Sequence, residues 1–165
     1  MRIFWFCLIF GSAQTSFAFS GGMGIPFALG LTQTGLWSGI SNPAALCGLD
    51  AAHVGLASAK PFLLPDVSIS TFSAALPIKD LAVAGIEYTV EGTKDYHKSS
   101  TSLMMAKRFT KKVSFGMSIN YLQTALGMDY GASHALAVDM GLQVILHREL
   151  TLGMYLSNPT CAKRG

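Results

Sequence analysis

The stretch His134-Ala135-Leu136-Ala137-Val138-Asp139-Met140-Gly141-Leu142-Gln143-Val144-Ile145-Leu146 decides the fold. Leu136, Val138, Met140, Leu142, Val144 and Leu146 occupy alternate positions, with Ala135, Ala137, Asp139, Gly141, Gln143 and Ile145 between them. Successive side chains of a β-strand point to opposite faces, so this alternation gathers the large aliphatics on one side. A helix would bring Asp139 and Gln143 together but scatter those aliphatics around its cylinder. The segment reads as a strand with one large apolar face and one small, polar face.

The same pattern recurs outward along the chain. Leu81 to Val90, Val113 to Thr124 and Leu150 to Ser157 each follow a short charged turn, at 77–80, 110–112 and 147–149. Each carries a glycine at an equivalent place: Gly85, Gly116 and Gly153. Aligned on it, one face holds Ala84, Ile86 and Tyr88, then Phe115, Met117 and Ile119, then Leu152, Met154 and Leu156. The other face holds Val83 and Glu87, then Ser114 and Ser118, then Thr151 and Tyr155. Return strands are expected at 67–76, 99–108 and 134–146, with longer connections near 60–66, 92–98 and 126–133. A repeating hairpin with short turns on one side and longer loops on the other is the arrangement of an antiparallel up-and-down transmembrane β-barrel.

The soluble rival is a secreted β-sandwich, whose outward face should carry Lys, Glu and Thr along each strand. Here Lys and Arg sit mainly in turns and at strand ends, and the uniformly apolar face bears the large side chains. That is apolar-out and polar-in, and the barrel is the preferred architecture. Composition agrees: mean hydropathy is +0.41, and 13% of the 165 residues are charged, about half the usual globular share. Net charge is +3 and scattered, which argues against nucleic acid as a partner.

Met1-Arg2 precedes an unbroken apolar run from Ile3 to Phe10, and Ser16-Phe17-Ala18 supplies small residues for cleavage. Residues 1–18 therefore read as a signal peptide. No later run approaches the roughly 20 apolar residues of a spanning helix. In a membrane, closed barrels are then the remaining solution, because lipid offers backbone groups no partners. Residues 19–50 are rich in Gly, Ala, Ser and Pro and show neither period, so they read as an irregular or partly helical segment packed against something larger. Strands occupy 51–165. After the leader only Cys47 and Cys161 remain, and whether they pair is left open.

The run Gly35-Leu36-Trp37-Ser38-Gly39-Ile40-Ser41-Asn42-Pro43-Ala44-Ala45-Leu46 resembles the long-chain fatty-acid transporter (FadL-like) family of outer-membrane barrels, and the related PorV/PorQ-type barrels tied to type IX secretion. The resemblance implies that 19–50 is a hatch plugging the barrel, with Trp37, Asn42, Pro43 and Ala44 in its motif. It implies an outer-membrane location and passive transport of small hydrophobic compounds. The alternative is an accessory barrel that binds or shuttles secreted proteins. Family barrels have about fourteen strands, whereas six or seven are expected here. The end of the chain also lacks a terminal aromatic strand, so a truncated member is expected.

No catalytic constellation stands out, and neither an enzyme nor a cofactor is expected. His53, His97, His134 and His147 lack metal-ligand spacing. Gly22-Met23-Gly24 begins like a phosphate loop, but Phe27 stands where the third glycine belongs. Glu87 and Asp139 are acids in mid-strand, and Gln143 shares the face of Asp139. On lipid an acid would cost a few kcal/mol, so all three are expected to face the lumen. There they either contact the hatch, line a substrate path or stand solvated. One consequence is directly measurable: exported protein should begin at Phe19 by N-terminal sequencing, and Met1 retained in the membrane fraction would refute the leader.

Overall fold

The computed structural model describes residues 31–60, 67–79, 81–93, 96–126, 131–147 and 150–158. The expected leader, the first part of segment 19–50 and Cys161 lie outside the described residues.

Seven strands form one sheet: β1 (His53–Ala59), β2 (Ser68–Ile78), β3 (Ala82–Gly92), β4 (Tyr96–Arg108), β5 (Val113–Leu126), β6 (Ala132–His147) and β7 (Leu150–Ser157). Each pairs antiparallel with the next, and spatial order follows chain order. The fold is therefore all-β and up-and-down. Among the described residues β1 and β7 do not pair with each other, so the sheet is open.

The register lines up the alternation across strands. One row of neighbours runs Leu56, Phe72, Tyr88, Thr101, Tyr121, Leu136, and the next runs Val54, Ala74, Ile86, Leu103, Ile119, Val138. A third runs Leu76, Ala84, Met105, Met117, Met140, Leu156. This large, apolar face is the open one: Leu56 is 80% exposed, Leu103 57% and Leu136 58%. The opposite face carries the row Gly55, Ser73, Glu87, Ser102, Asn120, Ala137. It also carries Val83, Ala106, Gly116, Gly141, Tyr155. Most of these residues are buried. The burial is the inverse of a water-soluble half-sheet, where the apolar face is the hidden one.

The apolar band has a polar border at the loop end. At the loop end the outer face turns to Ser58, Ser70, Val90, Ser99, Gln123 and His134. There the Tyr121 hydroxyl meets His134 Nδ1 at 2.7 Å, with the two rings stacked. Toward the short-turn end only β4 turns polar, at Lys107, while Phe115, Leu142 and Met154 of the same row remain apolar. On β6 it runs from Leu136 to Val144, about 26 Å along the strand at ~3.3 Å per residue.

Two boundaries differ from those the pattern suggested. Pro77 and Ile78 belong to β2 and not to the following turn. The proline is tolerated there because the pairing of β1 ends at Ala75, leaving Pro77 opposite Val83 of β3 alone. The connection expected over 92–98 shrinks to 93–95, since β3 reaches Gly92 and β4 starts at Tyr96. Gly92 reverses the chain with φ +142°, a conformation other residues avoid, and Thr93 N–H donates to the Tyr96 carbonyl at 2.7 Å. Polar content had suggested a loop, whereas a tight glycine turn lets the ladder continue.

Among the described residues the pairing of β7 with β6 begins at Asp139, so Ala132–Val138 of β6 have a described neighbour on the β5 side alone. Hydrogen exchange should therefore be slowest in β3 to β5. Within β6, every second amide of 132–138 should exchange well ahead of those in 139–144. Uniformly slow exchange along β6 would mean that another strand covers this edge.

Candidate functional site

The buried face of the sheet is covered by residues 31–50. Two short 3-10 helices, Trp37–Ile40 and Pro43–Gly48, make up the helical part of this segment. The second starts where the sequence dictates. Asn42 sits in an extended conformation (φ −157°, ψ 107°), as a residue before proline must, and Pro43 opens the helix with φ already set. The Asn42 side chain caps the turn by accepting from Ala44 N–H at 3.0 Å.

Asn42 also fastens the segment to the sheet. Its Nδ2 donates to the Leu31 carbonyl at 2.9 Å and to the Leu142 carbonyl of β6 at 3.3 Å. Gln143 Nε2 donates to the carbonyls of Leu31 (2.8 Å) and Gln33 (3.0 Å). At the short-turn end the Arg108 guanidinium donates to the Cys47 carbonyl. Cys47 is buried, and desolvation pushes its thiol up from the usual value, which disfavours the reactive thiolate.

Glycines make this seat possible. A Cβ on Gly116 would collide with the backbone of Pro43 and Ala44, and one on Gly141 with the Asn42 side chain. Gly116 and Gly141 are direct cross-strand partners, so together they form a flat floor two strands wide. Gly153 receives the Leu31 carbonyl (2.6 Å from an added Cβ), Gly85 the Leu46 side chain (3.1 Å) and Gly55 the Trp37 ring (2.6 Å). Around Leu46 an apolar cluster forms from Leu36, Cys47, Ala75, Val83, Met104 and Ala106.

Of the motif residues, Asn42, Pro43 and Ala44 are deep in the contact, and Asn42 and Ala44 have no exposed surface. Trp37, the large ring of the motif, is half-buried over Gly55 of the edge strand, while Leu46 and Asn42 are the largest of the fully buried side chains. Glu87, Asp139 and Gln143 all lie on the covered face and are buried, but only Gln143 is bonded to the segment.

Asp139 is a clasp within the sheet. It accepts from Asn120 Nδ2 (2.6 Å) and the Tyr155 hydroxyl (2.8 Å) on one oxygen. On the other it accepts from Ser157 Oγ (3.0 Å) and Asn158 N–H (2.9 Å). These bonds tie the end of β7 to β5 and β6. Glu87 meets Thr89 Oγ1 at 3.5 Å, which in turn meets Thr71 Oγ1 at 2.8 Å. Among the described residues Glu87 Oε2 and, on its cross-strand neighbour, Ser73 Oγ have no hydrogen-bond partner. Among the described residues no three His, Cys, Asp or Glu side chains come together as metal ligands. A shallow groove of about 370 Å³, lined by Leu56, Ser58, Ser70, Phe72, Tyr88 and Val90, belongs mainly to the outer face.

Sequence reasoning missed Gly55, Gly141 and the Asp139 donors, and it recorded Gly85, Gly116 and Gly153 without their reason. The glycine spacing was the available signal. No protein-family model, curated protein or solved structure matches the chain.

Two substitutions probe the seat. Asn42→Ala removes the cap, the bond that holds Leu31 and the one tether to Leu142, and should destabilise the seated segment by about 2–3 kcal/mol, at ~1 kcal/mol per lost bond. Gly116→Val should displace the segment outright. In both, residues 31–50 should become protease-sensitive while far-ultraviolet dichroism keeps its β signal. Continued protection in both variants would show that the segment is held by other contacts.

Proposed function

We propose that the sheet is part of the wall of a bacterial outer-membrane β-barrel, with residues 31–50 as a plug on its lumen face, and that the barrel passes small hydrophobic compounds passively. The observation that carries this is the inverted burial: large apolar side chains face outward while Ser73, Glu87, Asp139 and Gln143 are buried on the face that seats residues 31–50. In water, a contiguous apolar face of seven strands would be a severe aggregation liability. In lipid it is the required surface. The band length on β6, with strands tilted near 40°, corresponds to about 20 Å of height, close to that of outer-membrane barrels. The N-terminal leader and the polar and aromatic border at Tyr121 and His134 support the same reading.

Transport is favoured by the kind of contact the plug makes. It rests on glycine and on a few bonds to main-chain carbonyls, with one small apolar cluster around Leu46. Such a seat can be vacated without breaking the strand ladder. The cluster offers a passing apolar compound a foothold in an otherwise polar lumen.

The membrane reading has a clear test. Leu103→Arg lies on an exposed position, where a soluble sheet would tolerate it within about 0.5 kcal/mol. In a bilayer the arginine should cost about 2–4 kcal/mol. Urea titration of protein refolded into vesicles measures the difference, and a negligible effect would return the fold to the soluble sandwich. Transport is tested separately: cells carrying the Asn42→Ala protein should admit an environment-sensitive hydrophobic dye faster than cells carrying the parent. Membrane insertion with unchanged dye entry would favour the accessory-barrel alternative.

A further inference from the structure

The wall reading leaves a feature unexplained at the short-turn end of the sheet. The turn between β4 and β5 is tightly tied: Phe109 N–H donates to the Val113 carbonyl at 2.9 Å, and Thr110 Oγ1 accepts from Lys112 N–H (3.2 Å) and Val113 N–H (3.1 Å). This fixed turn holds Phe109 63% exposed, next to exposed Lys107, Lys111 and Lys112. The neighbouring turn between β2 and β3 repeats the combination, with Leu81 65% exposed beside exposed Lys79. Among the described residues this end carries Lys79, Lys107, Arg108, Lys111 and Lys112 against Asp50, whereas the loop end carries Lys60 and Lys98 against Glu91.

We propose that the short-turn rim, with Lys79, Lys107, Lys111 and Lys112 around Leu81 and Phe109, docks on the anionic headgroups of a glycerophospholipid leaflet. The inference rests on the membrane reading above and adds which leaflet chemistry this end selects. Large apolar side chains just past the apolar band sit at the acyl–headgroup boundary, where aromatic rings anchor. Lysines beside them lie at phosphate height, and Lys107, at the border of the outer face, lays its alkyl stem along the band while its ammonium reaches outward. Basic residues close to a membrane surface attract acidic lipid within a Debye length. The charge difference between the two ends makes the attraction one-sided, so it also favours one orientation across the bilayer.

The test places a fluorescent reporter at the rim with Phe109→Trp, in protein folded into phosphatidylcholine vesicles containing phosphatidylglycerol. Either lipid is supplied in brominated form at equal mole fraction, and the Trp37 signal is read from the parent protein. Brominated phosphatidylglycerol should quench the reporter at least about twofold more strongly than brominated phosphatidylcholine. Combined Lys107→Gln, Lys111→Gln and Lys112→Gln should abolish the excess. Should that variant fail to fold, salt decides on the reporter protein alone: raising it to about 1 M shortens the Debye length to ~3 Å and should erase the excess. Equal quenching by both lipids overturns the rim proposal and leaves the membrane reading intact. Quenching by neither overturns both.

Discussion

The structure depends on how closely one backbone can approach another. Pro43 and Ala44 lie against Gly116, and Asn42 fills the space a side chain at Gly141 would take. Because these glycines face each other across β5 and β6, a single larger residue at either would lift the whole segment 31–50. With it would go the tethers from Asn42 to Leu142 and from Gln143 to Leu31. The polar face would then be left as an open trench. A cap formed by Asn42 and a floor without side chains are two halves of one device. Neither stabilises the contact alone.

That contact satisfies one face of the sheet only. Asp139 is fully engaged by Asn120, Tyr155, Ser157 and Asn158, so a carboxylate that would be costly in an apolar environment becomes the joint for the last strand. Glu87 and Ser73 keep unpartnered oxygens on the same face. Among the described residues nothing covers the other face, and the two faces obey different constraints: close packing on small residues on one, and exposed apolarity on the other.

Most of the fold was legible in the sequence, because period two survives wherever one face differs chemically from the other. β6 and its neighbours declared themselves through Leu136, Val138 and Met140 against Ala135, Ala137 and Asp139. Boundaries were less legible: Gly92 and Thr93 look like a loop by polarity, yet the reversal needs only a residue able to take positive φ. For the site, the Asn42-Pro43-Ala44 turn and its cap were readable locally. The partners were not, since Leu31, Leu142 and Gln143 meet Asn42 or one another's carbonyls only through the fold. Trp37, for all its size, lies half-buried over the edge strand at Gly55. A flat glycine floor takes a backbone and a short amide in preference to a bulky ring.

The strand count carries a geometric consequence. With the seven described strands antiparallel and in chain order, β1 and β7 run in the same direction. Bending this sheet until its own edges meet would join them in parallel. So would a second copy related by rotation about an axis along the strands. A ring in which every neighbour is antiparallel contains an even number of strands, so whatever completes such a ring around this sheet contributes an odd number.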